Sequence, residues 1–292
     1  MSQSPLETFT KQHDFLIGID SDGCAFDTME VKHKECFIPN TINSFGLQAV
    51  SKYAREAAEF VNLYSKWRGI NRFPALTMTM DLLEERPEVI ARGVSVPKLA
   101  QVRNWIDRET KLGNPALEQE VSNTHDPELE HALSWSTAVN DTVASIVRDV
   151  PPFPNVRESL EKLSTVADMI VCSATPNVAL TKEWQEHDIE KYVAAICGQE
   201  IGSKKESLGA CSSRGYAKNH VLMIGDAPGD MKAAKAVGAL FYPINPGDED
   251  TSWDRFLNES CHRFLNEEYA GDYEASLIAE FDKRLPDTPP WK

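Results

Sequence analysis

No C-x-x-C pair occurs in this chain; its six cysteines (Cys24, Cys36, Cys172, Cys197, Cys211 and Cys261) are scattered along 292 residues. A chain of this size needs no disulfide staples, so reduced thiols are expected and a cysteine zinc site is not. The seven histidines are equally dispersed, and His125 and His131 stand six apart instead of at the four-residue spacing of a helical zinc motif. Uncharged apolar runs are short, none approaching the ~20 residues that span a bilayer. The opening MSQSPLETFTKQHDF carries neither a basic n-region nor an apolar h-region, so a cytoplasmic location is expected. Basic residues are also scarce, 30 against 45 acidic ones, and the formal charge of −15 repels nucleic acid and anionic membranes. There is no internal repeat, and neither nucleic acid nor a membrane is expected as a partner.

What the chain does have is an ordinary globular composition, 41% hydrophobic and 26% charged, with length enough for two domains. Short apolar runs bounded by turn residues occur at Phe15–Ile19, Met169–Cys172, Val193–Cys197, Val221–Ile224 and Leu240–Ile244. They have the character of strands buried on both faces of a parallel sheet. Helical spacing at Val156–Val166, Val178–His187 and Met231–Val237 lies between them, which predicts an α/β, Rossmann-like parallel-sheet core. Residues 29–149 are rich in helix formers, as in SKYAREAAEFVNLYSKW, and read as an inserted helical domain that ends at the prolines of PPFPN, Pro151–Asn155. The expected organisation is therefore a core from 1–28 and 150–250, an insertion over 29–149, and an extension of two amphipathic helices over 251–292, near Ser252–Tyr269 and Asp272–Leu285, packing on the core.

Chemistry concentrates at two strand ends. In FLIGIDSDGCAFDT, Asp20 closes a buried strand, Asp22 follows two residues on, and Gly23 permits a sharp turn. In VLMIGDAPGD, Asp226 and Asp230 follow another. Ligands of open parallel sheets bind beyond the carboxyl ends of strands. Neighbouring strands lie ~4.8 Å apart, so Asp20, Asp22 and Asp226 are expected to converge on one hard divalent cation, magnesium, that relieves their repulsion. Turn-forming or capping aspartates are the plainer alternative. A calcium loop fails, because Ala25 and Val31 occupy its glycine and closing-glutamate positions.

Asp20-x-Asp22-Gly23, Ser173 in VCSAT, Lys204 in GSKKESL and Gly225-Asp226-x-x-x-Asp230 resemble the four ordered motifs of the haloacid dehalogenase superfamily, across the whole core. The resemblance implies a Rossmann-like core with an inserted helical cap that moves about loops near Asp27 and Val150. It implies that Asp20 is a nucleophile forming an aspartyl-phosphate and that Asp22 serves as acid and base while its main-chain carbonyl binds magnesium. Ser173 and Lys204 would hold the phosphoryl oxygens, Asp226 would complete the metal shell, and Asp230 would orient a water or the lysine. Lys205 competes with Lys204 for that role. Cys24 departs from the threonine usual after Asp-x-Asp-Gly. Retention of Asp22 points to phosphate esters: a phosphatase acting on a small phosphorylated metabolite, with a sugar-phosphate mutase or a non-catalytic phospho-ligand binder as alternatives. Within the insertion, Lys32, His33 and Lys34 follow the first motif, and Arg68 and Arg72 stand four apart; these are candidates for substrate anions or, equally, a solvated basic stripe.

Overall fold

The computed structural model describes residues 4–292 and divides into two compact units. One comprises the chain up to Thr28 together with Asp149–Arg284; the other comprises Met29–Arg148 together with Leu285–Lys292.

The first unit is built on β1 (Phe15–Ile19), β2 (Ala167–Cys172), β3 (Ala195–Cys197), β4 (Val221–Gly225) and β5 (Leu240–Pro243), all parallel, in the order β3-β2-β1-β4-β5. This is the expected α/β sheet. The chain runs outward from β1 on one side and returns on the other, so β1 marks the switch point at which a crevice opens beyond the strand ends. Ile19 is level with Val171 of β2 and Ile224 of β4, which puts the residues just past those strands on one edge. Every residue of β2 and β4 is buried, as is all of β1 after Phe15, and this explains why these strands read as continuous apolar runs. β3 is shorter than its apolar run because a 3-10 turn over Glu190–Tyr192 engages the Val193 amide, which donates to the Glu190 carbonyl at 3.2 Å. The stretch expected as one helix over Ser252–Tyr269 is instead Glu249–Arg255, a π-turn Phe256–Ser260 and Cys261–Leu265. A π-turn rotates the apolar face between its two ends; Trp253, Phe256 and Phe264 all end up fully buried.

The approach to β1 is fixed by Asp168, a buried residue of β2. Its carboxylate accepts from the Gln12 and His13 amides at 2.9 and 3.0 Å, from His13 Nδ1 at 3.0 Å and from the Tyr216 hydroxyl at 2.5 Å. Burial pushes the carboxyl up, but hydrogen bonds from Tyr216, His13 and Gln12 outweigh it and hold it below the usual carboxylate range. A depressed native value means that the stabilisation is present above the unfolded value of ~3.9 and is lost as pH falls through the native one. Asp168→Asn is therefore expected to lower stability at pH 7 by ~1–3 kcal/mol, with a gap from wild type that narrows below pH ~4, read by urea unfolding at both pH values. An undiminished midpoint at pH 7 would contradict this.

The second unit contains helices and no strand among the described residues, including Ile38–Ser44, Ser51–Asn62, Arg72–Glu84, Ala100–Arg108, Asn114–Thr124 and Pro127–Ile146. Phe73 stands edge-on to Trp105 at 4.9 Å and to Trp135 at 6.2 Å, and the Trp135 indole donates to Thr41 Oγ1 at 3.0 Å. These aromatics are core residues. The C-terminal tail joins this unit. Trp291 meets Phe60 edge-on at 5.8 Å and lies under the Arg86 guanidinium at 4.3 Å, while Lys66 pairs with Asp287 and Lys292 with Glu85. The 251–292 extension is thus divided. Its last helix, Asp272–Arg284, groups with the sheet unit, and residues 285–292 group with the helices. Among the described residues, no helix is long and apolar enough to cross a membrane.

Candidate active site

Asp20 leaves the end of β1 with its amide donating to the Ile224 carbonyl of β4 at 3.0 Å. The chain then folds tightly around Ser21, whose carbonyl accepts from the Ala25 and Phe26 amides at 2.9 and 3.1 Å. Gly23 adopts φ +76°, a left-handed conformation that explains the glycine, and donates to the Phe26 carbonyl at 2.8 Å. Ser21 is fully buried. Its amide donates to Asp20 Oδ1 at 2.8 Å, its hydroxyl donates to Glu183 Oε2 at 3.0 Å, and it accepts from the Trp184 indole at 3.0 Å. Trp253 donates to the Cys24 carbonyl at 2.7 Å. The Cys24 thiol is fully enclosed; burial, with Asp226, Asp20 and Asp230 adding to it, pushes its pKa far up, so the group that replaces the usual threonine is an inert thiol.

Lys204 opens the helix Lys204–Ser212 directly after Ser203, which caps it by accepting from the Glu206 amide while Glu206 accepts from the Ser203 amide. That first-turn position sends the Lys204 ammonium to Asp20 Oδ2 at 2.6 Å and to Asp230 Oδ1. Lys205, one residue on, is exposed. Asp230 sits in the first turn of Pro228–Val237, and its other oxygen accepts from the Ala227 amide at 3.0 Å. Gly225 makes room for it, since a Cβ there would lie 2.4 Å from that of Asp230.

Asp20, Asp226 and Asp230 are buried, and one carboxylate oxygen from each lies within 4.8 Å of the other two. Burial pushes the Asp20 carboxyl up; Lys204 pulls it back, Asp230 and Asp226 push it up again, and it ends well above the ordinary range. Burial alone would depress the Lys204 ammonium, but Asp20, Asp230 and Asp226 override that and raise it. Three carboxylates against one ammonium leave two negative charges in a buried site. Hard oxygen donors with that excess suit a divalent metal ion.

Asp22 is the departure from the expected trio. Its carboxyl is not one of the three grouped there; Thr28 donates to its Oδ1, and Thr175 donates to its Oδ2 at 2.6 Å. Asp230 takes its place among the converging carboxylates. Thr28, Thr175, Ser21, Glu183 and Trp184 were not singled out in the sequence; only the position of Thr175 in VCSAT, two residues after Ser173, offered a signal. Ser173 itself is buried just past β2 and accepts from the Thr175 amide at 3.1 Å.

The basic candidates all belong to the helical unit. Lys32 and His33 lie on a π-helical turn, Lys32–Phe37. Arg68 and Arg72 do not share a helix face, since Asn71 caps a helix that begins at Arg72, and Arg68 precedes it in a turn. Arg68 is buried and donates to the Leu63 carbonyl at 2.9 Å. Lys34 pairs with Glu30 and donates to the Tyr64 hydroxyl at 3.0 Å.

Residues 105–243, the span that carries Ser173, Lys204, Asp226 and Asp230, match the family model of the haloacid dehalogenase-like hydrolases. Over that span the chain is similar to the haloacid dehalogenase-like hydrolases. Among solved structures, a protein of Lactobacillus delbrueckii provisionally named a phosphoglycolate phosphatase is 13% identical, with a TM-score of 0.50 over 89% of this chain and 100% of that one. A haloacid dehalogenase-like hydrolase of Streptococcus pneumoniae is 14% identical, with a TM-score of 0.46 over 91% and 98%. At these identities the likeness concerns the fold. No curated protein sequence matches the chain.

Proposed function

We propose that this chain is a magnesium-dependent phosphatase that hydrolyses a small phosphorylated metabolite through an aspartyl-phosphate on Asp20. The observation that carries the reading is Lys204, held between Asp20 and Asp230 beside Asp226 at the carboxyl edge of the sheet. An Asp20 oxygen attacks phosphorus, and the bond to the leaving alkoxide breaks as Asp22 delivers a proton to that oxygen. Water then attacks the acyl-phosphate phosphorus, passes its proton to Asp22 and frees phosphate and the Asp20 carboxylate. Thr28 and Thr175 keep the Asp22 carboxyl oriented through both proton transfers. Lys204, with Ser173 at the end of β2, stabilises the charge carried by the equatorial phosphoryl oxygens. Asp20, Asp226, the Asp22 carbonyl and, from its position in the cluster, Asp230 would hold the magnesium ion, which supplies charge neutralisation at the phosphoryl group when bound. On this reading the helical unit is the cap that selects the substrate.

A panel of phosphorylated sugars, nucleotides and short organic acids is the test. Phosphate release from at least one of them should require magnesium, stop on chelation and return on adding the ion. Isomer formation without phosphate release would replace the hydrolase with a mutase. Turnover that is indifferent to chelation would remove the metal from the mechanism.

A further inference from the structure

Arg72 in the helical unit is a charged group with no counter-charge. Nη1 is spent on neutral acceptors: Asn140 Oδ1 at 2.7 Å, Ser136 Oγ at 2.9 Å and the Ser136 carbonyl at 3.3 Å. The guanidinium lies 5.0 Å from the centre of the Phe37 ring, and His33 stacks on that same ring at 4.7 Å. Among the described residues no carboxylate lies within ion-pair distance of Arg72, whereas Arg86, Arg103 and Arg108 of the same unit each face one. Burial, with no neighbouring charge contributing, pulls its pKa below the ordinary arginine value. In a chain carrying a formal −15, a half-buried guanidinium that has avoided every acid is unusual.

The fork is also directed. No acceptor among the described residues takes Nε–H or the Nη2 hydrogens, yet neither atom is among the buried polar atoms left without a partner, so that edge keeps some access to solvent. Three bonds at Nη1 and the Phe37 ring fix the plane of the group, so little side-chain freedom is lost when a ligand arrives. Arg72 also lines a small pocket together with Phe37, Thr41, Asn62, Thr79 and Trp135. Phe37 and His33 lie on a π-turn, an irregularity found often at functional sites.

We infer that the Nε/Nη2 edge of Arg72 is a binding site for a planar or tetrahedral oxyanion, a carboxylate or phosphate-type group, held bidentately against the Phe37 ring. The site is independent of the chemistry assigned to Asp20. Sulfate serves as the probe, with the full chain kept in chelator so that no metal-bound anion forms elsewhere. The Arg72 Nε–H resonance, assigned by its disappearance in Arg72→Lys, should shift saturably with sulfate and not with chloride at equal ionic strength. Arg72→Lys keeps the charge but not the fork and should weaken sulfate binding, followed by calorimetry, by about tenfold. Phe37→Leu, which leaves the fork but removes the ring, should weaken it by less. A resonance that does not move, a shift reproduced by chloride, or equal sulfate affinity in wild type and Arg72→Lys would each overturn the inference. The near-ultraviolet dichroism of both variants guards against reading an unfolded core as a lost site.

Discussion

Asp20→Asn should reduce magnesium-dependent phosphate release by on the order of 10⁴-fold or more while the protein stays folded. The amide has nearly the shape of the carboxylate but lacks a nucleophilic oxygen, so an acyl-phosphate cannot form. The fold should tolerate it because the position is anchored through its backbone, by the amide bond to Ile224, and the two buried neighbours on the β4 side, Asp226 and Asp230, keep their places. Near-ultraviolet dichroism and unfolding midpoints check the fold. A phosphate-release assay on the best substrate of the panel checks the chemistry, and loss of a labelled acyl-phosphate in acid-quenched samples separates nucleophilic failure from lost binding. An Asn variant that retains a tenth of the wild-type rate would remove Asp20 from the reaction.

The second large effect concerns Lys204→Met, which should act on activity and on stability together. Its ammonium bonds both Asp20 and Asp230. Removing it leaves three crowded acids, and breaking such a buried pairing costs ~3–5 kcal/mol. The direction with pH follows from the raised carboxyl pKa values of Asp20 and Asp230, which burial and mutual repulsion produce. A carboxyl raised in the native state favours folding below the unfolded value of ~3.9, and that contribution is lost as pH climbs through the native value. The metal-free Met variant should therefore be least stable at neutral pH and recover as the solution is acidified. Magnesium should restore much of the deficit at pH 7, because an ion that binds only the folded form stabilises it by mass action. Turnover should nevertheless stay ~10²–10³-fold down with the ion present, for want of a fixed charge on the phosphoryl oxygens. Equal unfolding midpoints for the two proteins in chelator would show that Lys204 does not balance the cluster.

The parts that were readable in the sequence share a physical cause. FLIGI and VLMIG announce themselves because strands buried on both faces must be apolar throughout, and Asp20 and Asp226 stand directly beyond them. Gly23 was legible as a requirement of the backbone for a sharp turn, whereas the need for Gly225 shows only in the structure, where the Asp230 carboxylate packs on it. What stayed hidden was decided at long range. Asp22 and Thr175 are 153 positions apart, and no local pattern tells which carboxyl a distant hydroxyl will hold. Whether Lys204 or Lys205 reaches Asp20 and Asp230 turns on one residue of helix register, which the Ser203 cap fixes in space. Arg68 and Arg72 failed to share a face for a local reason: Gly69 and Asn71 interrupt the helix on which that spacing depends.

The tail that runs from Leu285 to Lys292 changes what counts as a separable piece of this protein. A clone covering only 29–148 would look like a natural module, yet it would leave Phe60 and Arg86 without the indole that seats against them, and Glu85 without its terminal lysine. The helical half is assembled from two stretches that lie at a distance in the gene, and dissection by contiguous boundaries would amputate one of them.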